Sequence, residues 1–238
     1  MLTNNCIFLN LSGMPIFKQL QLEEALLRNC KKNVCIINSE VPEAVVLGIS
    51  RNPEEDLHLP ALKTDNIPII KRYSGGGTVF VDKNSLFVTW IINSTEPMSS
   101  SQDLMNWTYS IYSPMFPEEF SINENDYTFG EKKIAGNAQY IQRFRWVHHT
   151  TFLWDMDIDK LARYLPVPKK QPSYRKQRLH QDFLTTIQPW FPTKESFFDK
   201  VQESASSIFL WEDLSEHELR QLFEKPHRKS TKLLSNLL

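Results

Sequence analysis

Two short stretches carry residues whose types and spacing suit chemistry on an anion. The first is Lys71-Arg72-Tyr73-Ser74-Gly75-Gly76-Gly77-Thr78-Val79-Phe80-Val81-Asp82, which holds three of the chain's seven glycines behind two cations. Apolar Ile67-Pro68-Ile69-Ile70 precedes it and Thr78-Val79-Phe80-Val81 closes it, so the pattern reads as strand, glycine loop, strand. Glycines take positive φ and let backbone N–H groups approach a ligand closely. Successive N–H groups pointing one way form an anion-binding nest, and Lys71 and Arg72 would add charge for a carboxylate or phosphate. A glycine-rich hairpin with its cations on a solvated edge is the competing reading. Three consecutive glycines exceed what a hairpin requires, which favours the ligand cradle.

The second stretch is Asn125-Asp126, then Lys132-Lys133-Ile134-Ala135-Gly136-Asn137-Ala138-Gln139, then His148-His149-Thr150-Thr151. A cation opening a strand and followed by small residues leaves room for a ligand along the backbone. An ammonium fixed there suits an anion whose charge grows in a transition state. Taken alone, either lysine is an ordinary solvated turn residue, and adjacent histidines usually point one in and one out of a sheet.

Other chemistries are excluded or disfavoured. No Gly-Lys-Ser/Thr follows the loop, and neither Gly-x-Gly-x-x-Gly nor Gly-x-Ser-x-Gly occurs. No third ligand stands at zinc spacing from the histidines, so no metal site is assigned. Cys6, Cys30 and Cys35 all precede Asn38, away from both stretches. Cys30 falls at a predicted helix C-terminus, where the dipole disfavours a thiolate, so covalent cysteine catalysis is not expected.

The elements that must position these residues follow from length and pattern. With 238 residues and 41% apolar content, the chain can bury one good core and leaves little room for a second domain. A net charge of −1 gives no global attraction to nucleic acid or to an anionic membrane. No apolar run reaches the roughly 20 residues that span a bilayer. Residues 1–17 contain no Lys or Arg, unlike a secretory or transit leader, so a soluble cytoplasmic protein is expected.

A strand is predicted at residues 6–10 and an amphipathic helix from Phe17 towards Lys31-Lys32. Strands at residues 34–37 and 45–49 come next, and a polar segment then leads to the glycine loop. Leu86-Phe87-Val88-Thr89-Trp90-Ile91-Ile92 is long and nearly all apolar, so it should be central and covered on both faces. Ser99 to Ser101 would cap a helix stopped by Pro114. Short strands fill residues 120–153, and helices follow near 161–165 and 197–208. Residues 169–178 carry five cations and no acid. The fold class expected is α/β (α+β), one domain on a mixed β-sheet with flanking helices and a helical C-terminal tail.

The glycine stretch resembles the Arg-Arg-x-Ser-Gly-Gly-Gly-Ala-Val…His-Asp signature of lipoate–protein ligases, in the biotin/lipoate A/B ligase superfamily. Asn125-Asp126, Lys133-Ile134-Ala135-Gly136-Asn137-Ala138 and His149-Thr150-Thr151-Phe152-Leu153 are similar to its later blocks in the same order. Leu22-Glu23-Glu24-Ala25 is similar to its N-terminal helix. The resemblance implies a biotin/lipoate ligase-type catalytic domain over residues 1–210. Many relatives carry a further C-terminal domain, for which the length leaves no obvious room, so 211–238 is expected to be a helical tail with no separate accessory domain. The resemblance implies that ATP, with Mg²⁺, activates lipoate to lipoyl-AMP. The acyl group would then pass to a lysine of apo lipoyl domains of 2-oxoacid dehydrogenase complexes or of the glycine-cleavage H protein.

By resemblance Lys133 is catalytic, bridging the lipoyl carboxyl oxygen and the α-phosphate. Arg72, Gly75, Gly76, Gly77, Thr78, Val79, Phe80, Asn125 and Asp126 would hold ATP and lipoyl-AMP. Ser74, Gly136, Ala138 and His149 would line the lipoate pocket. The chain departs from the signature at Lys71 for Arg, Val81 for His, Thr150 for Gly, and Asn84-Ser85 for Gly-Asn. Two alternatives belong to the same superfamily: a lipoyl or octanoyl transferase, and a non-catalytic lipoate-binding relative.

Overall fold

The computed structural model describes residues 4–98 and 100–234. In chain order its strands are β1 (Asn5–Asn10), β2 (Asn33–Asn38), β3 (Ala44–Leu47), β4 (Ile69–Lys71), β5 (Thr78–Val81), β6 (Ser85–Asn93), β7 (Phe120–Asn123), β8 (Asp126–Phe129), β9 (Lys132–Gln142), β10 (Arg145–Leu153), β11 (Leu210–Glu212) and β12 (Lys232–Leu233). The helices are α1 (Ile16–Asn29), α2 (Pro53–Asp56), α3 (Leu59–Thr64), α4 (Ser101–Tyr112), α5 (Ile158–Tyr164), α6 (His180–Phe183), α7 (Lys194–Ala205) and α8 (Glu216–Glu224).

Two mixed sheets are present where one was expected. The larger runs β11-β1-β2-β6-β10-β9-β8-β7, and the smaller β12-β4-β3-β5. In the larger, β1 and β2 are parallel and joined through α1, while β2, β6, β10, β9, β8 and β7 alternate antiparallel. The apolar run of β6 lies inside the larger sheet, buried from Ser85 to Ile92, because helices cover both of its faces. On one side Trp90, Trp146 and Phe152 pack with Leu104 and Met105 of α4 and Phe197 and Val201 of α7. On the other, Leu22 and Leu26 of α1 meet Ile7, Val34 and Ile91. Each such leucine contributes about 2 kcal/mol by leaving water.

The smaller sheet leans on the same helix. Ile16 and Leu20 of α1, one turn apart, pack with Val46, Ile70, Val81 and Phe87. On the opposite face Phe80, Val45 and Ile69 meet Leu62, Leu161, Tyr164 and Phe183 from α3, α5 and α6.

Helix α4 begins at an N-cap, Ser100, whose side chain accepts from the Asp103 N–H while Asp103 reciprocates in a capping box; Ser99 lies outside the described residues. The segment before β4 holds α2 and α3. Asn52 caps α2, and Pro53 stands inside its first turn. The tail is helical only in α8, which β11 and β12 flank; residues 235–238 lie outside the described ones. Among the described residues, no helix is long and apolar enough to cross a membrane.

Candidate active site

The glycine loop is not a hairpin. Its flanking strands β4 and β5 do not pair with each other, because β3 lies between them, parallel to β4 and antiparallel to β5. Residues 72–77 therefore cross over the end of β3, a span of about 10 Å at ordinary strand spacing. The loop is held down by Ile49 N–H to the Ser74 carbonyl (3.0 Å), Gly48 N–H to the Gly77 carbonyl (3.2 Å) and Gly75 N–H to the Gln139 carbonyl (3.1 Å). Gly76 has φ +106°, and a Cβ on it would stand 2.6 Å from Arg72 Nη2 and 3.0 Å from the Asn137 carbonyl oxygen. Only glycine fits there.

Arg72 organises the loop from within. It is 5% exposed. Nε and Nη2 donate to the Gly75 carbonyl (3.2 and 2.8 Å), Nη2 also to Gly77 (2.9 Å), and Nη1 to Val46 (3.4 Å). Burial lowers its pKa to about 10, so it stays charged at neutral pH. The guanidinium that the sequence reading placed on phosphates is thus largely taken up by loop carbonyls.

Strand β5 supplies an open edge. Since Gly48 and Gly77 form a hydrogen-bonded pair, the antiparallel alternation turns the N–H and C=O groups of Thr78 and Phe80 away from β3. These groups face a cavity of about 610 Å³ that all four β5 residues line. Strand β9 lines the same cavity. Lys133 Nζ lies 2.7 Å from Asp126 Oδ1, and Asp126 Oδ2 accepts from the Tyr174 hydroxyl (2.9 Å). A Cβ on Gly136 would sit 3.4 Å from Lys133 Nζ, so this glycine leaves room for the ammonium. The Asn137 amide donates to the Asn125 carbonyl (3.0 Å) and accepts from the Thr150 hydroxyl (2.8 Å). Thr150, a departure from the signature, therefore fixes the Asn137 side chain.

The two histidines separate as strand geometry requires. His148 is fully buried among Gln139, Asn137 and Thr108, and burial drives its pKa down to about 3. His149 lines the cavity, with Nδ1 2.9 Å from Glu23 Oε1. A carboxylate only accepts, so Nδ1 is the protonated nitrogen. Glu23, 1% exposed, also receives Gln19 Nε2 and the Thr89 hydroxyl, each at 2.8 Å.

The basic stretch 169–178 closes a further side. Its main chain and hydroxyl at Ser173 donate to Glu124 (2.6 and 2.5 Å). Arg175, 5% exposed, lies over the Phe183 ring at 4.6 Å, and it lines the cavity with Lys170 and His180.

Of the residues singled out from sequence, Lys133, Arg72, Gly75, Gly76, Gly77, Thr78, Val79, Phe80, Asn125, Asp126, Gly136, Ala138 and His149 all line this one cavity. Ser74 does not: it is buried behind the loop. Lys71 turns away to donate to the Arg51 carbonyl (2.9 Å), and Asp82 closes the turn through the Asn84 N–H (2.9 Å). The three cysteines are buried and line no part of it.

Sequence reasoning missed four contributors. Gly48 lets the loop lie on β3, and Glu23 holds His149. Arg175 comes from the basic stretch. Asp56 joins Arg51 and accepts from the Thr78 hydroxyl (2.5 Å). Arg175 carried a signal in the run of cations without an acid, and Glu23 only as part of the quoted helix block.

The lining falls into two groups. Ile16, Leu20, Val46, Val81 and Phe87 form an apolar cluster, suited to an alkyl chain. Lys133, Lys170 and Arg175, with the outward N–H groups of β5, suit anionic oxygens. Among the described residues, no three His, Cys, Asp or Glu side chains stand together as a metal site.

Solved lipoate–protein ligases share this fold. The bipartite ligase of Thermoplasma acidophilum superposes with a TM-score of 0.75 at 21% identity, covering 93% of this chain and 92% of that one. A lipoate–protein ligase A bound with ATP gives 0.73 at 19% identity, covering 94% and 95%. Residues 15–209 match the lipoyl protein ligase A/B catalytic domain, and the chain belongs to that family. Among curated relatives, the inactive lipoate–protein ligase 2 of Plasmodium falciparum is 27% identical over 95% of this chain and 76% of its own length. A probable lipoate–protein ligase A of Mycoplasma genitalium is 29% identical over 84% of this chain, and that of Mycoplasma pneumoniae 27% over 79%. The chain spans 64% and 58% of those two proteins' lengths.

Proposed function

We propose that this chain joins lipoate to ATP as lipoyl-AMP and passes the lipoyl group to a lysine of an acceptor protein. One observation carries the reading: Lys133 Nζ, held by Asp126 above Gly136, faces the same cavity as the outward β5 amides and an alkyl-sized apolar cluster. In the first step a carboxylate oxygen attacks the α-phosphorus and pyrophosphate leaves. Two anions must meet, and a fixed ammonium offsets their repulsion and the charge that builds at transfer. In the second, a neutral lysine amine attacks the acyl carbon and AMP departs. Thr78 and Phe80 main-chain groups would hold the nucleotide, while Ile16, Leu20 and Phe87 receive the chain of the acid.

Mg²⁺ would accompany the nucleotide; Asp56, Asp126 and Glu124 already have protein partners, and no protein site is assigned to the ion. The proposed acceptors are apo lipoyl domains or the glycine-cleavage H protein; the bipartite Thermoplasma ligase was described together with its E2 lipoyl domain.

A second reading, a relative that binds lipoate or transfers a ready-made acyl group without adenylation, draws on Val81. The signature histidine is replaced there by a buried valine, and one relative is named inactive. A single assay separates the two. With apo lipoyl domain, lipoate and ATP, the acceptor gains the lipoyl mass, and Lys133→Ala abolishes the gain. Transfer from supplied lipoyl-AMP alone, with none from ATP and lipoate, would establish the second reading.

A further inference from the structure

Glu24 lies on α1 beside Glu23 and is equally buried, at 1% exposure. Its carboxylate faces the chain's terminal segment. Ser230 N–H donates to both oxygens (2.9 and 2.8 Å) and Thr231 N–H to Oε2 (3.1 Å), with Arg28 Nη2 at 3.3 Å. A carboxylate removed from water requires such partners, and here two are main-chain amides some two hundred residues away in sequence, about as remote as the chain allows. Asn29, one turn further along α1, donates to the carbonyls of Leu222 and Lys225 (3.0 and 3.1 Å).

Beyond Thr231 the segment becomes β12 and adds to the free edge of β4, with Lys232 opposite Lys71, Leu233 opposite Ile70, and Leu234 N–H bonded to the Ile69 carbonyl (2.8 Å). β4 is the strand that enters the glycine loop, and Arg72 follows it directly. The register sets two lysines face to face, an unfavourable cross-strand pair. Pairing this short and this poorly matched does not hold a strand by itself. The Glu24 anchor does.

We propose that residues 225–234 are a positioning strap for the anion cradle. Glu24 pins the strap, the strap clamps β4, and β4 sets where Arg72 gathers the Gly75 and Gly77 carbonyls. The tail is then part of the nucleotide site, although no described residue of the tail lines the cavity. Glu24 touches no ligand and acts through the strap.

The test is amide exchange on the full chain, comparing the native protein with Thr231→Pro, Glu24→Gln and Lys232→Glu. Thr231→Pro removes one donor to Glu24. Glu24→Gln leaves a single acceptor oxygen for the amides. Lys232→Glu turns the like-charge pair into an attractive one. The Arg72 and Gly75 amides, bonded to the Leu47 and Gln139 carbonyls (2.9 and 3.1 Å), are expected to exchange at least about tenfold faster in the first two variants and more slowly in the third. Exchange over β6 is expected to stay unchanged.

The ligand arm rests on the function proposed above. ATP affinity should fall about tenfold in Thr231→Pro and Glu24→Gln, while lipoate affinity holds. Unaltered exchange at residues 72–77, or equal acceleration in β6, overturns the strap. If the native protein binds no ATP, the functional reading fails, and the exchange measurement still decides the strap.

Discussion

The Cβ that Gly48 lacks would stand 2.2 Å from the carbonyl oxygen of Gly76. This contact of two backbones lets the loop lie flat on the end of β3 and brings its amides to β5 and β9. Gly48→Ala must lift the loop, since a backbone carbonyl cannot give way as a flexible side chain does. A displacement of about 1 Å at a reacting centre costs on the order of 10² in rate. Pyrophosphate release by Gly48→Ala should fall by that factor, whereas the melting temperature should move only a few degrees.

Arg72→Lys keeps the charge and loses the fork. One ammonium cannot serve the carbonyls of Gly75, Gly77 and Val46 together. Abandoning buried carbonyls costs about 1–3 kcal/mol each. We expect a clear loss of stability in urea and at least tenfold weaker ATP binding by calorimetry.

Asp126 accepts from both Lys133 and Tyr174, so it ties the ammonium to the basic stretch. Asp126→Asn presents an amide that can serve one donor but repels the other. The expected outcome is a fall in kcat of about 10–100-fold with lipoate affinity kept, read by single-turnover adenylation. A larger effect on lipoate binding than on kcat would show that Asp126 shapes the acid pocket instead.

His148 predicts an acid-sensitive fold. Its neutral ring fills both nitrogens: Nδ1 accepts from the Gln139 amide, which also donates to the Ser101 carbonyl, and Nε2 donates to Asn137 Oδ1. A second proton would oppose the Gln139 amide, and the neighbouring His149 lowers the pKa further. The folded value near 3 lies below the ordinary 6.5, so between these limits the unfolded chain binds the extra proton. Stability is therefore complete above about pH 6.5 and is lost as pH falls towards 3, by about 1.4 kcal/mol per pH unit at most. Urea midpoints between pH 7 and 5 should decline in the native protein and flatten in His148→Gln.

Much of the site was legible because its residue types are unusual where they stand. Consecutive glycines, a lysine before small residues and a nearly all-apolar seven-residue run each have a local physical reason. Gly48 and Glu23 looked ordinary in their own segments, since their roles come from a backbone and a histidine that approach only in the folded chain. The loop was open to reading as a hairpin because strand order is invisible in a linear pattern; β3, already past, returns between its flanks. Helix α2 was a different miss. Asn52-Pro53 followed by Glu54, Glu55 and Asp56 is a helix start, with an N-cap, proline in the first turn and acids near the positive end of the dipole, yet it reads as loop because too few apolar residues follow.

An unpaired strand edge ordinarily invites another chain to add to it and begin polymerising. The edge of β5 is four residues long and opens into a cavity bounded by Lys133, Arg175 and Phe183. A recessed edge admits a small ligand more readily than a neighbouring molecule's strand. The same hydrogen-bonding groups that would receive the proposed nucleotide are thereby withheld from self-association, so a receptive edge need not become a seed for aggregation.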